Sequence, residues 1–145
     1  MSRLIAIDPG KNKCGLLLVD LDKGLVLNGK VVDKLFVIEV ISSWQSEFPV
    51  NGIVLGNGTS SKYWQKMLSG LAPIEIVEEK GSTLRARDRY WDIWPPVIWL
   101  RWVPRGLIVP PQHLDAVAAL VLLEDHLKKK FQWTGSPDFK ISHEQ

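Results

Sequence analysis

The residues of this chain best suited to chemistry are carboxylates at the ends of apolar segments. Asp8 closes the run Leu4-Ile5-Ala6-Ile7 and is followed at once by Pro9-Gly10, so the chain turns with an acid at a strand end. Glu78 and Glu79 follow Ile74-Glu75-Ile76-Val77, and Asp115 opens the long apolar stretch that begins at Ala116. Carboxylates brought together repel one another and stay ionised only with cations between them, and hard oxygen donors suit Mg²⁺ or Mn²⁺. Two such ions can clamp the attacking and leaving oxygens of a phosphodiester during in-line displacement. Each acid also has a structural reading. Asp8-Pro9-Gly10 makes a turn, Glu78-Glu79 a solvated strand end, and Asp115 a first-turn residue favoured by the helix dipole.

For these acids to meet, the elements between them must fold the chain back on itself. Leu4–Ile7, Gly15–Val19 and Leu25–Val32 read as three short strands joined by tight turns, an antiparallel meander. Asp33 caps a helix to about Gln45 with Leu35, Ile38 and Ile41 on one face. Gly52–Leu55 is a strand, Gly56-Asn57-Gly58-Thr59 opens a helix to about Leu68, and Ile74–Val77 is another strand. A last helix runs from about His113 to Lys130, with Lys128, Lys129 and Lys130 in its final turn. Strands alternating with helices imply parallel pairing and right-handed crossovers. The expectation is an α/β fold with a mixed five-stranded sheet, flanked by helices, in one domain over 1–133 with a flexible tail at 134–145. In such sheets chemistry collects beyond the strand ends at the topological switch, where the first strand meets the first parallel strand. Five prolines between Thr83 and Gln112 predict a short helix and then an extended Trp-rich loop there.

Composition narrows the classes. The chain has 145 residues, 46% of them hydrophobic, and 18 Lys+Arg balance 16 Asp+Glu to a formal net charge of +2. That excludes a disordered chain, a highly basic nucleic-acid coat and an acidic tail. The single cysteine, Cys14, excludes an internal disulfide framework and a cysteine zinc cluster. No apolar run is long enough to cross a bilayer. A cytoplasmic protein with no membrane association is expected.

Four segments carry a family resemblance. Ile5-Ala6-Ile7-Asp8-Pro9-Gly10 resembles the first catalytic strand of Holliday-junction resolvases and YqgF-like nucleases. Ile53-Val54-Leu55-Gly56-Asn57-Gly58-Thr59-Ser60-Ser61 is similar to part of the YqgF-like domain of Tex. Val77-Glu78-Glu79-Lys80-Gly81-Ser82-Thr83 resembles the segment with the second acid, placing it at Glu79, and Leu114-Asp115-Ala116-Val117-Ala118-Ala119 resembles the final helix. In family order these segments resemble the RuvC/YqgF-like branch of the ribonuclease H-like superfamily. The resemblance implies a ribonuclease H-like fold and phosphodiester hydrolysis in branched DNA or structured RNA, with Mg²⁺ or Mn²⁺ held by Asp8, Glu79 and Asp115. Where resolvases place a further carboxylate this chain has Gln112, with His113 beside it; these two and Glu78 are auxiliary candidates. That departure keeps a second function in view, a non-catalytic nucleic-acid-binding module of the same fold. A phosphotransferase of the sugar-kinase and actin type would need a second nucleotide-binding half, which the chain is too short to hold.

The expected nucleic-acid contacts are Lys11, Lys13, Thr59, Arg85, Arg87 and Arg89. Five of the six arginines lie between Arg85 and Arg105, interleaved with Tyr90, Trp91, Trp94, Trp99 and Trp102. Arginine among aromatics can neutralise phosphates and stack on unpaired bases. The same composition suits a core or the interface of a homodimer, and packing or dimerisation is the expected role for most of the tryptophans.

Overall fold

The computed structural model describes residues 2–58, 60–79, 81–104, 107–110, 113–135 and 141–142. Strands β1 (Arg3–Pro9), β2 (Lys13–Asp20) and β3 (Leu25–Asp33) form the meander. Helix α1 (Val37–Glu47), β4 (Gly52–Gly56), α2 (Ser61–Leu68), β5 (Ile74–Val77), α3 (Ser82–Ile93) and α4 (Asp115–Leu127) follow. A two-residue strand, β6 (Ile141–Ser142), lies in the segment expected as a tail and pairs in parallel with β3. The sheet order is β5-β4-β1-β2-β3-β6. The centre is therefore the expected mixed five-stranded sheet: β1 is antiparallel to β2 on one side and parallel to β4 on the other. That change of direction is the topological switch, and Asp8 stands at the end of the strand that makes it.

Alternation along each strand sends side chains to two layers. Ile5 and Ile7 of β1, Leu16 and Leu18 of β2 and Ile53 and Leu55 of β4 pack with Val37, Val40, Ile41 and Trp44 of α1 and with Trp64 and Leu68 of α2. Ala6, Leu17, Val19 and Val54 point the other way, against Ala119, Leu120 and Leu123 of α4. Helix α3 then packs on α4 through Ala86, Tyr90 and Trp91. Helix α4 is buried from Ala116 through Glu124, which is why its sequence is apolar all round rather than striped.

Two local expectations change, and a third is met with an added 3-10 turn. Asp33 does cap, accepting from the Leu35 backbone N–H at 2.9 Å, but it caps a 3-10 turn over Lys34–Phe36 before α1. That tighter turn shifts the helical phase, leaving Leu35 75% exposed while Val37 and Val40 take the inward face. Helix α4 stops at Leu127, with Lys128 in the left-handed region at φ 53°, so Lys129 and Lys130 lie beyond it, and Lys129 donates to the Leu21 carbonyl instead. The stretch after Thr83 forms three turns of α3 before the Pro-rich segment and its 3-10 turn at Ile98–Trp102.

Candidate functional site

The layer rule places the acids. On β1, Asp8 follows Ala6 by two residues and so faces α4. On β2 the residue opposite Asp8 is Gly15, and it also faces α4. A methyl built on Gly15 would collide with the Asp115 carbonyl and lie 2.7 Å from the Ala116 nitrogen. The bare glycine thus lets the first turn of α4 sit directly on the sheet, bringing Asp115 beside Asp8.

The same parity separates the two glutamates. Val77 faces the α4 layer, and Glu79, two residues on, turns inward to Gly56 and Gly58 at the end of β4, whereas Glu78 stays at the outer edge of the sheet. Glu78 is exposed, and lines a surface hollow of about 340 Å³ with Ile76, Arg85, Asp125 and His126. Neither Asp8 nor Glu79 lines that hollow. Glu79 reaches inward across β4 because Gly56 and Gly58 have no side chains. A methyl on Gly56 would strike the Glu79 carboxylate and lie 3.0 Å from its Cγ; on Gly58 it would lie 3.1 Å from Oε2.

The electrostatic result falls on Asp8. Its carboxyl is pushed from the ordinary 3.8 up to about 8, first by burial, then by the negative charge of Glu79, by a hydrogen bond with the Glu79 side chain, and by the charge of Asp115. Two carboxyls share a hydrogen bond only when one holds a proton. With both ionised, they require a cation. Among the described residues, the buried Glu79 Oε1 has no hydrogen-bond partner, which leaves it an open acceptor. Gly56→Ala is expected to preserve the sheet but displace Glu79 from Asp8. A carboxyl NMR titration should then show the Asp8 pKa falling from about 8; an unchanged titration would mean that Gly56 is not what admits Glu79.

Asp115 has a different partner. Lys13 Nζ lies 3.3 Å from Asp115 Oδ2 and 3.0 Å from His113 Nδ1. An ammonium only donates, so Nδ1 of His113 must accept. Lys13, expected as a phosphate contact, is thus turned into the acidic site. Among the described residues no three His, Cys, Asp or Glu side chains form a group able to share one metal ion. The acids are neighbours, but only Asp8 and Glu79 directly oppose one another. Cys14 is buried on the opposite face, where burial pushes its thiol up to about 11; it takes no part.

The basic residues divide. Lys11 is exposed on the turn after β1. Arg87 is half-buried on α3. Arg85 ion-pairs with Asp125 at the surface, a weak link that an incoming phosphate can displace. Arg89 is a correction: its Nε and Nη2 bind both oxygens of Glu124 at 2.9 Å, and Nη2 also donates to the Phe131 carbonyl at 2.9 Å. This guanidinium joins α3 to α4 and does not face a ligand. Thr59, Gln112 and Arg105 lie outside the described residues. Of the seven tryptophans, Trp44, Trp64 and Trp91 are buried, and Trp94 and Trp133 are half-buried against each other with rings 5.0 Å apart. Trp99 and Trp102 are 71% and 89% exposed. Most of the tryptophans are therefore packing residues.

No protein-family model matches the chain, and no curated protein matches it in sequence. Among solved structures, RuvC of Thermus thermophilus superposes with a TM-score of 0.53 at 16% identity, covering 86% of this chain and 92% of that chain. The fold is RuvC-like. A structure of T. thermophilus RuvC in complex with Holliday junction substrate aligns over the same shares of both chains, at 16% identity and a TM-score of 0.48. In this RuvC-like ribonuclease H fold Asp8 ends the strand at the switch point, Glu79 follows β5 and Asp115 opens α4, positions that the layer rule and the glycine contacts assign independently of any comparison. Among the described residues no helix is long and apolar enough to cross a membrane.

Proposed function

We propose that the protein is a divalent-metal-dependent nuclease acting on branched or structured nucleic acid. The observation that carries this reading is the Asp8–Glu79 pair: two carboxylates facing each other at the end of β1, with a buried Glu79 oxygen that has no partner among the described residues. The donor set is all oxygen, which fits Mg²⁺ or Mn²⁺ rather than a softer ion. Asp8 and Glu79 would hold such an ion, with Asp115 at its side; bound there, the ion supplies Lewis acidity and neutralises charge developing on a phosphodiester. The chain's own groups do the rest. The two glycines fix the Glu79 approach, and the exposed Lys11 ammonium, at the rim of the same strand end, binds a phosphate of the backbone.

Trp99 and Trp102 complete the reading as stacking faces for unpaired bases, with Arg101 between them in sequence. Trp102→Ala should weaken binding of single-stranded or junction nucleic acid roughly 5- to 150-fold, the range for losing one base–aromatic stack, with no change in sedimentation. If binding is unchanged and a dimer falls apart instead, the exposed tryptophans belong to a subunit interface.

One observation favours the non-catalytic module: Lys13 already occupies Asp115. A Mn²⁺-dependent cleavage panel of four-way junction, duplex, single strand and structured RNA decides between the two readings. The nuclease cleaves at least one substrate with Mn²⁺ and none in EDTA. The module binds equally well in both and cuts nothing.

A further inference from the structure

We propose that Lys13 is a built-in second cation of the acidic site, so that this chain takes up one divalent ion where a pair would otherwise be needed. The inference rests on the metal-dependent reading above and concerns how the charge at that site is divided.

Three carboxylates, Asp8, Glu79 and Asp115, converge on the α4 side of the sheet. Their charge is distributed unevenly. Asp8 and Glu79 oppose each other, and the buried Oε1 of Glu79 has no hydrogen-bond partner among the described residues. Asp115, in contrast, has its Oδ2 3.3 Å from the Lys13 ammonium, which His113 Nδ1 steadies from a second direction at 3.0 Å. Both side chains of the Lys13–Asp115 pair are largely shielded, at 34% and 29% exposure, so the pair is stronger than a free surface pair. Nor is Lys13 a wandering surface side chain at its base. It begins β2, in register with Asp33 of β3, two residues before the glycine on which the first turn of α4 rests. The backbone thus delivers the ammonium to Asp115.

Charge balance gives the stoichiometry. With Lys13 in place the three acids carry a net charge of minus two, which a single divalent ion cancels. A second divalent ion would leave the cluster doubly positive with Lys13 in place, so to bind at Asp115 it would have to displace Lys13.

The test is a Mn²⁺ titration of the full-length protein, with free Mn²⁺ followed by electron paramagnetic resonance and total binding by calorimetry. Wild type should bind one ion per chain. Lys13→Met should bind two, because Asp115 is released, whereas Lys13→Arg should keep one. A folded Lys13→Met protein, verified by circular dichroism, that still binds one ion overturns the proposal, as does a wild type that binds two. A wild type that binds none overturns the metal-dependent reading as well, which separates the two failures. Should Lys13→Met not fold, the wild-type and Lys13→Arg stoichiometries still decide: two ions in either refutes the role.

Discussion

Asp8→Asn should abolish metal-dependent cleavage and, in the same protein, raise the stability of the metal-free fold at alkaline pH. The two effects have one cause. Below about pH 4 the Asp8 carboxyl is protonated both in the fold and in the unfolded chain. Between the ordinary value of 3.8 and about 8 the unfolded chain releases its proton while the folded one retains it. Rising pH therefore favours unfolding across that window, and above it the fold carries the full cost of a buried carboxylate facing Glu79. Asparagine has nothing to titrate. Denaturation curves in EDTA should coincide for wild type and variant near pH 4 and diverge to roughly 2–5 kcal/mol in favour of the variant at pH 9. Added Mn²⁺ should reverse the order, since it stabilises only the form that binds it. Cleavage should fall at least about 100-fold, the scale of losing one principal electrostatic stabiliser. If Asp8→Asn were no more stable than wild type at pH 9, the strained pair would not exist; if it still cleaved with Mn²⁺ at the wild-type rate, the site would lie elsewhere.

How much of this could be read from the sequence depends on the range of the interactions. Asp8 and Asp115 are legible because their cues are local: an acid followed by Pro-Gly at the end of an apolar run, and an acid opening an apolar helix. The strand-to-layer parity that makes Glu79 face Asp8, and sends Glu78 to solvent, becomes visible only when β5 is placed beside β4. The roles of Gly15 and Gly56 are hidden for the same reason. A glycine is a gap, and its meaning lies in what fills it, Asp115 in one case and Glu79 in the other. Lys13 reads in the sequence as a phosphate contact because its partners His113 and Asp115 lie about a hundred residues away. The aromatic stretch resisted assignment because prolines at 95, 96, 104 and 110 interrupt any period from which an inward face could be chosen. The structure divides it by anchoring: Leu100, Val103 and the buried Ile108 pack inward against α3 and α4, which leaves Trp99 and Trp102 outside.

Arg89 gives the sharpest contrast between a basic residue that binds and one that builds. Glu124 is 5% exposed in the last turn of α4. Beyond its two contacts with Arg89, its Oε2 accepts from the Phe131 backbone N–H at 2.8 Å, while Arg89 holds the Phe131 carbonyl. The pair thus closes a ring through α3, α4 and the chain leaving α4, placing Phe131 in the core beneath the sheet. Arg89→Met strands a buried carboxylate and Glu124→Leu strands a guanidinium, so each alone should cost about 3–5 kcal/mol. The double variant removes both charges and fills the space with apolar atoms, so much of that loss should return, leaving a coupling energy of a few kcal/mol in a double-mutant cycle. Nucleic-acid affinity per folded molecule should be unchanged in all three variants. Were Arg89 a phosphate ligand, the single Arg89 variant would instead lose affinity and flatten the salt dependence of binding by about one unit of slope, with the stability change secondary. Urea denaturation beside a salt-dependent binding series separates the two roles, because the clamp acts on the first measurement and a phosphate contact on the second.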